Sequence, residues 1–141
     1  MGGYGEMRVP NMPLLSVAAR FGLAVKAPPF NGRYLGWYSK EEISLSSPEE
    51  SIFWHELGHA ARERIDPTFG QRDKAFTEAV AEIVACVIGH LFRLGVRSAN
   101  QAYHCIKAFS KDPALAAARL LKTVERSMAE ILQDSAISEA A

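Results

Sequence analysis

Residues 47–64 read SPEESIFWHELGHAARER, and the organisation of the whole chain follows from this stretch. Ser47 stands where a helix N-cap belongs, Pro48 fits the first helical position, and Glu50 completes a capping box while placing negative charge at the positive end of the helix dipole. The pattern predicts a helix from about Pro48 to Arg64. It should end before Asp66-Pro67, because a residue ahead of proline is pushed out of the helical region. Inside this helix lies His55-Glu56-Leu57-Gly58-His59. Four residues rotate a helix by roughly 40° beyond a full turn, so the two imidazoles project side by side and can share one metal ion. Glu56 flanks the same cavity and can reach a water on that metal without ligating it.

Two imidazoles do not complete a catalytic zinc site, which needs a third protein ligand and an open fourth position. The variant HExxHxxGxxH is excluded, since its glycine and third histidine would fall on Arg62 and Ile65. The next predicted helix, from about Asp73 to Leu94 and closed by Gly95, supplies an alternative. Its segment AFTEAVAEIVACVIG (75–89) is apolar almost all round, with Glu78 and Glu82 as its only charges. Buried carboxylates need a compensating positive charge, which a Zn2+ held by His55 and His59 provides. The plainer alternative has both acids in solvent, paired with Lys74 or Arg62. Glu78 lies 19 residues after His59, enough to finish one helix, turn and return alongside it, and is the expected third ligand. Glu82, one turn later, is placed to accept a hydrogen bond from the far nitrogen of a ligand histidine, His55 in this reading. An exchange of roles between Glu78 and Glu82 stays open.

Upstream, RYLGWYSKEEISLS (33–46) reads as two short strands, Tyr34 to Tyr38 and Glu42 to Leu45, joined by a polar turn. Residues 1–32 hold four of the seven prolines and read as an irregular segment around one short helix, Leu14 to Phe21. Downstream, a third helix is expected near Ser98 to Ser110 and a fourth from Pro113 to about Asp134. The fourth carries a stripe of Leu115, Leu120, Leu121, Val124, Met128, Ile131 and Leu132 at three- and four-residue spacings. Residues 136–141 form an expected frayed tail. The expected fold class is therefore α+β, mainly helical, with a small N-terminal hairpin and two packed site-bearing helices.

The 141 residues are 48% apolar and 23% charged, which suits one globular domain. Sixteen basic residues balance sixteen acidic ones, so no global field gathers nucleic acid or an anionic membrane, and nucleic acid is not an expected partner. Cys86 and Cys105 show no ligand spacing and are expected as reduced core thiols. No signal peptide or bilayer-length apolar run is apparent, and Glu6 breaks the myristoylation pattern, so a cytoplasmic location is expected.

At HELGH followed by TEAVAE the sequence resembles the gluzincins, thermolysin-like zinc peptidases. The likeness is closer to the zincin-like metallopeptidase domain of ArdC-type antirestriction proteins and related polyvalent proteins of plasmids and phages. The matching residues are Gly36-Trp37-Tyr38-Ser39, Ile43-Ser44-Leu45, His55 to His59, Glu78 to Glu82, Ala102-Tyr103 through Asp112, and Arg119 to Leu132. The resemblance spans about residues 33–135 and implies a zincin-like fold there. It implies His55, His59 and Glu78 as zinc ligands, Glu82 as support for a ligand histidine, and peptide-bond hydrolysis as the activity. The single-stranded-DNA-binding domain often fused to such domains has no counterpart here.

The expected function is thus that of a zinc-dependent metallopeptidase acting on a protein or peptide. Glu56 is the general base, taking a proton from the metal-activated water and delivering it to the leaving amine. The strand Glu42 to Leu45 is expected to offer its free edge to an extended substrate. Candidate oxyanion donors are Tyr103, His104, Tyr38 and His90. Trp37 and Tyr38 are read as groove-lining or core residues. The competing expectation is a non-catalytic zinc-binding regulatory or antirestriction module, against which the carboxylate of Glu56 argues.

Overall fold

The computed structural model describes residue 9 and residues 11–67, 74–92 and 113–133, with the backbone alone for 113–119. Among these residues the order is α1 (Leu15–Arg20), β1 (Ala24–Lys26), β2 (Gly36–Tyr38), β3 (Glu42–Leu45), α2 (Glu50–Ile65), α3 (Lys74–Leu91) and α4 (Pro113–Ile131). The architecture is α+β, mostly helical, with one small three-stranded sheet. No described helix is long and apolar enough to cross a membrane.

Helix α2 begins two residues later than the capping pattern predicts. Glu49 is the extended N-cap residue, and no side chain caps the helix. The hydroxyl of Ser47 instead accepts the Glu49 N–H at 3.3 Å, a local turn that uses up the cap one step early. The expected capping box is therefore absent, while Glu50 stays in the first turn where the dipole favours it. At the other end, Ile65 is the last helical residue, just ahead of Asp66-Pro67.

The hairpin forms with the pairs Gly36↔Leu45, Trp37↔Ser44 and Tyr38↔Ile43. A third strand was missed: β1 pairs in parallel with β3, matching Val25 to Ile43. The strand order β1-β3-β2 places β3 in the centre, so both of its edges are occupied. The expected free edge at Glu42 to Leu45 is thus corrected; among the described residues that property belongs to the outer strands β1 and β2. Within residues 11–32, α1 falls inside the short helix expected at Leu14 to Phe21, whereas β1 is unexpected, and the segment buries Met12, Val17, Ala18, Leu23 and Ala27.

One core joins these pieces. Ile43 and Leu45, alternating inward along β3, meet Phe53, Trp54 and Leu57 of α2. Helix α3 buries Phe76, Ala79, Val80, Val84 and Ile88 against the far side of α2, and α4 closes the bundle with Leu120, Val124, Met128 and Ile131. Leu121, expected in that stripe, is exposed, because it sits about 100° around the helix from Leu120. The Trp54 indole N–H donates to the carbonyl of Pro13 at 3.2 Å, and the ring stacks on Phe92. Arg20 at the end of α1 donates through Nη2 to the carbonyls of Glu130 and Ile131, the latter at 3.1 Å, and so covers the C-terminus of α4.

Candidate metal centre

Helices α2 and α3 can approach closely because Gly58 lies between them. A β-carbon at Gly58 would sit 3.1 Å from the Ala81 Cα and 3.2 Å from the Val84 Cβ, tighter than ordinary packing. Glu78 and Glu82 lie three residues before and one after Ala81, so the close approach carries one carboxylate to each side of the His55 ring. The His55 and His59 rings have centroids 4.9 Å apart at 76°. Glu78 spans them: its Oε2 is 3.0 Å from His55 Nε2, and its Oε1 is 3.0 Å from His59 Nε2. One atom from each of these three residues lies within 4.8 Å of the others. Two imidazole nitrogens and a carboxylate oxygen form a donor set that suits zinc, whose tetrahedral ligand atoms stand about 3.3 Å apart. The site residues thus fit a metal ion. Of the plainer alternative, solvent exposure holds for Glu78, which is half exposed, but not for Glu82, and pairing of either acid with Lys74 or Arg62 is absent among the described residues.

On the far side of His55, the buried Nδ1 has no regularly angled hydrogen bond, and its nearest neighbour is Glu82 Oε1 at 2.5 Å. The geometry therefore puts Glu78 on the cleft side of the histidines and Glu82 behind His55. Burial pulls the His55 pKa down, but the hydrogen bond to Glu78, the close contact with Glu82 and the charges of Glu82 and Glu56 outweigh it and raise it to about 10. The same histidine contacts hold the Glu78 carboxyl well below the usual carboxylate range, against partial burial. Glu56 moves the opposite way: burial pushes its pKa up, with His55 and His59 opposing.

These groups open onto a cleft of about 800 Å³ whose walls include Trp37, Tyr38, Glu56, His59, Arg62 and Glu78. Its opposite wall is β2, which rests on α2 through Gly36. A β-carbon there would lie 2.5 Å from Ile52 Cγ2 and 3.0 Å from Glu56 Oε2. Gly36 is a site residue that sequence reasoning quoted without assigning a role; a glycine inside a strand is the signal for such a close backbone approach. Trp37 is half exposed on the outer face, so it belongs to the groove and not to the core.

Among the candidate oxyanion donors that lie in the described residues, Tyr38 reaches this cleft. Burial lifts its phenol to about 12, and the nearby Glu63 carboxylate adds to the rise, so the hydroxyl keeps its proton. His90 is exposed in the last turn of α3, about 18 Å along the helix from Glu78, and does not join the site. Tyr103 and His104 lie outside the described residues, as do Cys105, the helix expected at Ser98 to Ser110 and the tail at 136–141. Cys86 is a free thiol, its pKa raised by burial and by the charge of Glu82. No protein-family model matches the chain, and no curated protein or solved structure is significantly similar to it.

Proposed function

We propose that this chain is a zinc-dependent peptidase of the gluzincin type with a zincin-like fold, in which His55, His59 and Glu78 hold the metal. The observation that carries the reading is the convergence of both imidazole Nε2 atoms on the two oxygens of Glu78, with Glu56 buried beside them on the same cleft. A bound zinc ion supplies Lewis acidity, polarising a carbonyl and acidifying water. Glu82 orients His55 from behind and increases its basicity. Glu56 accepts the proton of the attacking water and returns it to the leaving amine; its raised pKa brings it closer to neutrality, where a general base is most effective.

Substrate binding is assigned to the free edge of β2. An extended peptide pairing with Gly36–Tyr38 lies over Glu56, because Gly36 holds that strand against α2 at that residue. Tyr34, Leu35 and Trp37 leave large apolar surfaces exposed along this strand and its approach, which suits side-chain contacts with such a peptide.

The test combines metal analysis with cleavage. Purified protein should contain about one zinc per chain, and proteome-derived peptides should be cut by the wild type. Glu56→Gln should keep the zinc and the fold while cleavage falls by about 10²- to 10⁴-fold. Zinc well below stoichiometry, or equal cleavage by the variant, overturns the proposal.

A further inference from the structure

Arg62 presents a different problem from the charges at the metal centre. It is 5% exposed, yet none of the described carboxylates lies within 4.0 Å of its guanidinium. Its Nη1 donates to the carbonyl of Asp66 at 3.0 Å, which helps to close the C-terminus of α2. Its Nε is buried and has no hydrogen-bond partner, and Nη2 donates to none of the described groups. The bond to Asp66 therefore uses one end of the guanidinium and leaves the side-on Nε/Nη2 edge without a hydrogen-bond partner among the described residues. That edge carries two parallel N–H groups, the geometry that receives both oxygens of a carboxylate. A buried cation with an unused donor edge calls for an anionic partner.

The surroundings point the same way. Arg62 lines the cleft that contains Glu56, His59 and Glu78, together with Lys40 and Lys74. Of the acids on that cleft, Glu78 is engaged by the histidines and Glu56 stands beside them, which leaves Glu63 beside Tyr38 against the three cations Arg62, Lys40 and Lys74. The cations thus outnumber the uncommitted acids away from the metal end. Arg62 follows His59 by three residues, about 4.5 Å along the helix axis, so a group bound to it sits close to the reacting bond.

We infer that the Nε/Nη2 edge of Arg62 binds a carboxylate of the substrate, supplied by an acidic side chain or by the C-terminus of a peptide, next to the bond that is cut. The substrate class is then an acidic or C-terminal peptide segment, with Lys40 and Lys74 adding attraction at the rim. This inference rests on the metallopeptidase reading for its substrate, while its binding chemistry can be tested without cleavage.

The experiment follows the Arg62 ¹⁵Nε–¹H resonance of the full-length zinc-loaded protein, assigned by its loss in Arg62→Lys. Three probes are titrated: N-acetyl-glutamate α-methylamide, with only a side-chain carboxylate; N-acetyl-alanine, with only a terminal one; and N-acetyl-glutamine methylamide, with none. A saturable shift with either of the first two and none with the third supports the site, and the probe that acts identifies the source of the carboxylate. No shift with any probe, or an equal shift with all three, shows that Arg62 only closes its own helix and overturns the inference. In cleavage assays, replacing the recognised carboxylate by a carboxamide should lower kcat/KM by about 10- to 100-fold for the wild type. The Arg62→Lys variant, which keeps the charge but loses the parallel edge, should discriminate less than about 3-fold. Equal discrimination by both proteins also overturns the inference. If no peptide is cut at all, the metallopeptidase reading fails, and the resonance titration still decides the Arg62 site.

Discussion

The two walls of the cleft are built in different ways. The α2–α3 wall is helix against helix, closed at Gly58, with the charged side chains of its metal centre engaged across the interface. The β2 wall is a three-residue edge strand with a half-exposed tryptophan, held to α2 through Gly36. The difference separates positioning from recognition. In the proposed function, ligand groups must be held to within a fraction of an ångström and sit on packed helices, while the surface proposed for a peptide sits on a thin strand with unpaired backbone groups.

Three substitutions and one titration probe that separation. The largest effect is expected from Gly58→Val, which forces side-chain atoms into the Ala81 and Val84 contact and should cost about 1–3 kcal/mol of stability. Denaturant unfolding and zinc titration should show stability and metal affinity falling together; undiminished zinc affinity would mean that the helix spacing does not set the ligand geometry. Gly36→Ala attacks the other wall. The added methyl meets Ile52 and Glu56 and must displace β2, so cleavage should fall by about 10-fold or more while zinc content stays at one. If zinc is lost as well, the two walls are not separable. Glu82→Gln is milder, leaving all three ligands in place and weakening zinc affinity by about 10- to 100-fold, read by competition with a chelator.

The smallest effect is a pH dependence of the metal-stripped protein. The His55 pKa rises from its ordinary 6.5 to about 10, so its contribution to stability is fully present below about 6.5 and is lost as pH climbs through about 10. The Glu78 pKa is depressed from 4.5, so its contribution is present above about 4.5 and disappears as pH falls. The Tm of stripped protein should therefore be highest between about pH 4.5 and 6.5. Zinc competes with the His55 proton, so the Tm gained on adding zinc should grow as pH rises above that window. A zinc increment independent of pH would remove His55 from the ligand set.

Much of the helical wall was legible in the sequence because its determinants are local. The i, i+4 spacing of His55 and His59, the apolar surroundings of Glu78 and Glu82, and the stop at Asp66-Pro67 are all read within single helices. The other wall depends on pairing between distant segments. Ala24–Lys26 is three residues long with no alternation to announce it, and only its parallel partnership with β3 reveals that β3 has no free edge and that β2 keeps one on the cleft side. Ser47 misled for a different reason, since its hydroxyl had two local uses and the turn took it before the helix could. Arg62 looks like an ordinary surface arginine until the tertiary fold buries it.

The Arg20 latch on the last turn of α4 joins groups 111 residues apart in the chain. Contacts of such separation must close a long loop before they return any free energy, whereas α2 and α3 are neighbours across a short connection. The expected order of folding is therefore the site-bearing helix pair first, then the parallel strand and the latch. In that order the chain assembles its candidate metal ligands before its two outer segments are tied together, and under the proposed function an early-bound ion would guide the remainder of the fold.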